Sequence, residues 1–168
     1  MEIVINDTNI LLDLYDIELL DTFFRLPIEV KTVDFVINEI TRSNQIQAVR
    51  KLIDQGKLVV KNYPDTAIID LVQFKGECGG NLSLTDSTVI FYAKSLPDCR
   101  ILTGDRQLRN RAEQRGVKVS GILYVFDQLV EQGLLSYAEA SKKLEALIKI
   151  NPRLPKGEVE ARIAKWKG

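Results

Sequence analysis

Apolar residues fall along the chain in two rhythms that take turns. Five short runs are rich in valine, isoleucine and leucine and stop at polar or turn-forming residues: Glu2–Asn6, Ile28–Val33, Leu58–Lys61, Arg100–Thr103 and Val117–Ser120, the last the weakest. Between them apolar positions recur at intervals of three and four. That spacing predicts helices over Ile10–Phe24, Phe35–Thr41, Ile46–Gln55, Thr66–Lys75, Ser83–Ser95 and Arg106–Arg115. Gly56 and Gly116 sit where two of these helices should end, the second just after Arg115, whose charge suits the negative end of a helix. Strands alternating with helices predict an α/β fold in three α/β/α layers, with a central parallel sheet of four or five strands. Such a sheet offers its ligand site at the carboxyl ends of its strands.

The stretch GECGGNLS, residues 76–83, reads as a loop by composition. Beyond the last strand, Ile122–Gln132 and Tyr137–Ile150 read as two more helices, the second opened by Ser136 and Glu139 as a capping-box pair. NPRLPKG, residues 151–157, breaks the chain before a short last helix, Glu158–Lys167. We read residues 1–132 as the core and 133–168 as a C-terminal helical extension of the same domain. Val159, Ile163 and Trp166 share one face of the last helix. Such a stripe packs on its own domain, covers a homodimer interface or docks on a partner, and the first is the expectation.

With 168 residues the chain is long enough for one domain with a sizeable core. No stretch reaches the roughly 18 consecutive apolar residues of a membrane span, and no leader pattern precedes the first strand. Cys78 and Cys99 have neither metal-type nor framework spacing, which points to a reducing, cytoplasmic setting. There is no histidine. Its absence removes serine and cysteine triads, histidine-based zinc sites and ribonucleases built on paired imidazoles. The net charge of zero conceals an asymmetry: Met1–Ile40 has nine acids against two bases, whereas Lys94–Lys118 has seven bases against three acids. One segment suits cations and the other phosphates, unless both are solvated helix faces.

Four acids sit at or near the starts of helices. Asp7 directly follows the first strand, and Asp105 follows a later strand through Thr103 and Gly104; either could simply be an N-cap. Asp86 lies three residues after Ser83, as in a capping box, but on a helix apolar enough to be buried. Glu39 lies one turn into a helix that Asp34 could cap, a place where an ordinary exposed glutamate would also fit. The joint pattern is harder to explain by capping alone. All four would gather at one edge of the sheet. Two charges about 5 Å apart cost roughly 3 kcal/mol at an effective dielectric of about 20. A fold keeps such a cluster when a cation compensates it or protons stay bound. Oxygen donors without histidine select a hard ion, Mg²⁺ or Mn²⁺.

Taken in order, Asp7 in INDTNIL, Glu39 in INEI, Asp86 in LSLTDSTVIFYA and Asp105 in ILTGDRQLR resemble the motifs of PIN-domain nucleases, among them the VapC-like toxin ribonucleases. The resemblance covers residues 1 to about 132; EQGLLS and the RLP segment are similar to a branch with extra C-terminal helices. It implies a PIN-like fold and four acids, Asp7, Glu39, Asp86 and Asp105, around Mg²⁺ or Mn²⁺. It also implies cleavage of single-stranded RNA and, for many bacterial members, an antitoxin partner. Glu39 is carried over by position alone. Where relatives often have a further acidic or polar group after the fourth acid, this chain has Arg106 and Gln107, with Asn110 a turn on; Glu77 is a loose alternative ligand.

The expectation is therefore an endoribonuclease in which metal-activated water attacks the phosphodiester. Thr8 and Thr103 would either steady the acids through hydroxyl hydrogen bonds or serve as plain turn residues, and Asn9 would cap or steady the turn. Arg106, Arg109 and Arg111 would hold RNA phosphates, at least one of them facing solvent instead. Two rivals stand beside this reading. One is a PIN-like scaffold that binds nucleic acid or protein without catalysis. The other is a phospho-receiver module, which should have an adjacent acid pair at the first strand; Asn6-Asp7 lacks it.

Overall fold

The computed structural model describes residues 1–168. Its strands are β1 (Glu2–Asn6), β2 (Ile28–Val33), β3 (Leu58–Lys61), β4 (Cys99–Leu102) and β5 (Lys118–Ser120). They form one all-parallel sheet in the order β3-β2-β1-β4-β5, within a three-layer α/β/α arrangement. β1 is central because both of its edges are paired, and Val4 and Ile5 are almost wholly buried. That is why β1 reads as an apolar run, whereas β2, nearer the edge, alternates.

The helices of the sheet-bearing part are α3 (Asp34–Asn38), α4 (Ser43–Asp54), α5 (Ile68–Cys78), α6 (Leu84–Ser95) and α7 (Arg106–Gln114); α1 (Thr8–Asp16) and α2 (Leu20–Phe23) precede them in the chain. A 3₁₀ turn, Asp65–Ala67, leads into α5. The C-terminal helices are α8 (Ile122–Glu131), α9 (Tyr137–Ile150) and α10 (Lys156–Lys167).

Four expectations need correction. The helix expected over Ile10–Phe24 is two, separated at Glu18, whose φ is +60°. The stretch 76–83 is not all loop, because α5 runs on to Cys78 and only then meets Gly79 and Gly80, both at positive φ. Thr103 lies past the end of β4, although its N–H still reaches Ser120 O at 3.0 Å. Helix α3 ends sooner than expected, so Glu39 is its C-terminal cap and not a residue within it.

The chain divides into two compact units. One is Met1–Ile10 with Pro27–Gly121 and holds the whole sheet. The other is Leu11–Leu26 with Ile122–Gly168. In the second unit α8 buries Phe126 and Leu129, α9 buries Leu144 and Leu147, and α10 buries Val159 and Trp166. The Trp166 and Phe126 rings lie 6.2 Å apart, so the C-terminal stripe packs on its own chain, with Ile163 half-buried. Burying aromatic side chains of that size is worth on the order of 2–3 kcal/mol each. Arg162 grips Asp127 with two bonds, 2.8 and 2.7 Å, which ties α10 to α8. Ser136 and Glu139 form the expected capping box at the start of α9.

Candidate functional site

Three strand tips carry the candidate acids. Strands β1 and β4 are adjacent and in register, with Asn6 beside Leu102. The next positions along are Asp7 and Thr103, and the Asp7 N–H still bonds to Leu102 O at 2.9 Å. Their side chains meet: Thr103 Oγ1 donates to Asp7 Oδ2 at 2.7 Å. The same hydroxyl accepts the Asp105 N–H at 3.0 Å. One buried threonine thus does both things the sequence left open, steadying a carboxylate and shaping the turn.

A second threonine mirrors it. The Thr8 N–H donates to Asp7 Oδ1 at 2.8 Å, and Thr8 Oγ1 donates to Glu39 Oε1 at 2.8 Å. Glu39 is brought there from the far side of β1, since α3 follows β2 directly. The result is one hydrogen-bonded line, Glu39–Thr8–Asp7–Thr103–Asp105: Thr8 joins the Glu39 and Asp7 carboxylates through its hydroxyl and its N–H, and the Thr103 hydroxyl joins the Asp7 carboxylate to the Asp105 amide. Both oxygens of Asp7 are occupied, which fixes its orientation. Asn9 is exposed as the second residue of α1, and Asp7, not Asn9, engages the first amide of the turn.

Asp86 arrives on α6. Ser83 Oγ accepts the Asp86 N–H at 3.0 Å, so the expected cap is present. That cap sets where the helix starts, and the Ser83 hydroxyl also touches the Asp86 carboxyl. Asp105 also caps, accepting the Leu108 N–H at 3.0 Å through Oδ1. Capping and placement at the edge thus go together for Asp105, which is itself the N-cap of α7, and for Asp86, whose helix is started by Ser83.

The four acids feel one another. Burial pushes the Asp86 carboxyl up to about 7, reinforced by the charges of Asp7, Asp105 and, less, Glu39, while contact with the Ser83 hydroxyl pulls the other way. Asp7 is also raised, chiefly by burial; the hydrogen bonds from Thr103 and Thr8 oppose this, and Glu39 and Asp105 add to it. Both shifts are what a carboxylate cluster shows without compensating charge. The donor set suits a hard divalent cation: all oxygens, no histidine, and mutually repelling acids. No three acidic or thiol side chains, however, converge into a ready-made metal cage. The backbone carbonyl oxygen of Glu77 accepts from Arg115.

The arginines of α7 go to different places. Arg106 is exposed at the first position of the helix, directly after Asp105. Arg109 is half-buried, with Nη1 3.5 Å from Val119 O. Its guanidinium lies beside Gly121, so it stays near the tips of β4 and β5. Arg111 turns instead toward Gly80 and bonds Gln114 at 3.4 Å.

Residues 3–168 match the family described as DUF3368, a PIN domain. The chain belongs to this PIN-domain family. The strand order also separates it from receiver modules, whose sheets run 2-1-3-4-5. Two solved structures resemble this PIN domain. One is a PilT N-terminus domain protein from the hyperthermophilic archaeon Sulfolobus solfataricus P2, at 15% identity and a TM-score of 0.44, covering 73% of this chain and 89% of that one. The other is the crystal structure of FitAcB from Neisseria gonorrhoeae, at 14% identity and a TM-score of 0.42, covering 69% and 95%. Among curated proteins none matches this sequence. No helix of this PIN domain is long and apolar enough to cross a membrane.

Sequence reasoning passed over two residues here. Asn6 was read only as a strand end, yet it is wholly buried and neither atom of its amide finds a protein partner. An asparagine closing an apolar run was the available signal. Arg115 was read only as a helix end, and its partners could not be known before α5 and α7 were placed.

Proposed function

We propose that this PIN domain is a Mg²⁺- or Mn²⁺-dependent endoribonuclease of the cytoplasm that hydrolyses RNA phosphodiester bonds, and that it acts as the toxin of a toxin–antitoxin pair. The observation that carries the catalytic reading is the line Glu39–Thr8–Asp7–Thr103–Asp105, with Asp86 coupled to it electrostatically. Unrelated caps would have no reason to be tied together through two threonines that each reach Asp7 and a second acid-bearing residue.

Asp7, Asp86 and Asp105 would hold the cation, with Glu39 assisting directly or through water. A divalent ion there supplies the Lewis acidity that makes water a nucleophile at neutral pH and offsets charge on the phosphoryl oxygens. The chain's own part is orientation. Thr103 and Thr8 fix both oxygens of Asp7, and the N-cap bond from Leu108 fixes Asp105. Arg106 and Arg109 would anchor the RNA backbone beside Asp105, Arg109 with its stem already packed. Attack by external water leaves a 5′-phosphate and a 3′-hydroxyl.

The lack of a ready-made three-acid cage favours a second reading, a PIN scaffold that binds nucleic acid or protein without cutting. One assay separates the two. A single-stranded RNA and a DNA of the same sequence are incubated with Mg²⁺ or Mn²⁺, with and without EDTA, using the parent and Asp7→Asn. Cation-dependent RNA cuts ending in 5′-phosphate, absent with Asp7→Asn, are expected. RNA bound but intact under every condition would establish the scaffold.

A further inference from the structure

The loop between α5 and α6 is fastened from a third helix. Arg115, at the end of α7, donates through Nη2 to Glu77 O at 3.1 Å. That carbonyl belongs to the last turn of α5, where helix oxygens have no partner of their own and a cation is favoured. The same guanidinium lies over the Phe74 ring, 5.5 Å from its centre. Lys94 of α6 in turn donates to Arg115 O at 3.0 Å, so the end of α7 is held between α5 and α6.

Arg111, one turn earlier, packs its guanidinium against the same loop. Its Nη2 lies 2.6 Å from where a Cβ on Gly80 would be, and Gly80 has a φ of +68°. The left-handed backbone angle favours glycine there, and any side chain would also push the Arg111 guanidinium aside. From Gly80 the chain passes through buried Leu82 to Ser83, whose hydroxyl caps the amide of Asp86. The helix that supplies these arginines is the one that Asp105 caps at its other end. A single helix therefore carries one acid and grips the loop that leads to another.

We propose that Arg111 and Arg115 are positioning residues: they fasten the α5–α6 loop to α7 and so set where α6, and the Asp86 it carries, begins. They do not belong to the RNA-binding set, which is left to Arg106 and Arg109. The consequence for cation binding and cleavage rests on the nuclease reading above; the fastening itself does not.

Three readouts on the full chain test this, with Arg111→Gln, Arg115→Gln and, as a conservative control, Arg115→Lys. In cation-free protein, amide hydrogen exchange over residues 79–87 should speed up about tenfold in Arg115→Gln, which loses a hydrogen bond from a charged donor, and by less in Arg111→Gln, which loses the packing of its guanidinium against Gly80. Arg115→Lys should recover part of this, since it keeps a charged donor near Glu77 O and Phe74. Mn²⁺ affinity, read by calorimetry, should fall about tenfold. Affinity for a single-stranded RNA 20-mer in EDTA should keep the parent's salt dependence, whereas removing a true phosphate contact lowers the slope by about one. Unchanged exchange, faster exchange with unchanged Mn²⁺ affinity, or a reduced salt slope would each overturn the proposal. A glutamine variant that fails to fold is replaced by Arg115→Lys, which must then show intermediate exchange and Mn²⁺ affinity. If the parent neither binds Mn²⁺ nor cuts RNA, the nuclease reading fails, and exchange over 79–87 alone decides the fastening.

Discussion

Thr103 and Asp7 are 96 residues apart in the chain and 2.7 Å apart at their oxygens. The hydroxyl is fully buried and serves two partners, the Asp7 carboxylate and the Asp105 amide. Thr103→Val keeps the shape and removes both bonds. It should cost about 1–3 kcal/mol in urea unfolding, because two buried polar groups lose their partner. Thr103→Ser keeps the hydroxyl and should stay within about 1 kcal/mol of the parent. Equal stability of Val and Ser variants would mean that the hydroxyl does not hold the pair.

The raised proton affinities of Asp86 and Asp7 carry a signed prediction. The unfolded chain ionises these groups near pH 4, whereas folded Asp86 keeps its proton up to about pH 7. Between those values the folded state binds more protons, so stability falls as pH rises. Below about pH 4 both states are protonated and the contribution is fully present. The melting temperature of cation-free protein should therefore decline from pH 4 to pH 7 more steeply in the parent than in Asp86→Asn. Thermal scans in EDTA across that window check it, and matching slopes would refute it.

Asp105 has a cap role and a proposed site role that two substitutions can separate. Asn is as good an N-cap as Asp, whereas Ala is not. Asp105→Asn should fold with stability close to the parent yet lose cation-dependent cleavage. Asp105→Ala should lose cleavage and about 1 kcal/mol of stability besides. Chemical denaturation alongside the RNA assay distinguishes them; cleavage by Asp105→Asn at the parent's rate would remove Asp105 from the site.

Asn6 presents the opposite balance. Its amide is buried at the end of β1 with no protein partner for either atom, which is costly. Asn6→Leu, of similar size, should raise the stability of cation-free protein by about 1–3 kcal/mol, measured by urea unfolding. A loss of stability would show that the amide has a partner the folded chain does supply through rearrangement.

Mass action gives a last test. A cation that binds only the folded state raises the melting temperature as its concentration increases. Millimolar Mn²⁺ should do so for the parent and not for Asp86→Asn. An equal rise in both would place the ion away from Asp86.

The sequence by itself determined the order of most elements and the residue types available for a site. β1, β2 and β3 were legible residue for residue, because each is a short run rich in valine, isoleucine or leucine that stops where turn-forming or helix-starting residues follow. The break after α1 was not read from the sequence, and burial in the fold shows why it is there. A continuous helix would turn Leu19, Leu20 and Phe23 about half a turn away from Ile10, Leu11, Leu14 and Ile17, yet all seven are buried. The positive φ at Glu18 resets the phase. Four acids, no histidine and flanking threonines likewise declared oxygen chemistry before any fold was known. What only the tertiary structure decided was which groups meet. The register of β1 against β4 put Thr103 on Asp7, the pairing of β1 with β2 brought Glu39 to Thr8, and the placement of α7 sent Arg109 to the strand tips but Arg111 and Arg115 to the α5–α6 loop. Local periodicity is set by each residue's need for burial. Partnership across tens of residues depends on strand order and register, which no short stretch of sequence contains.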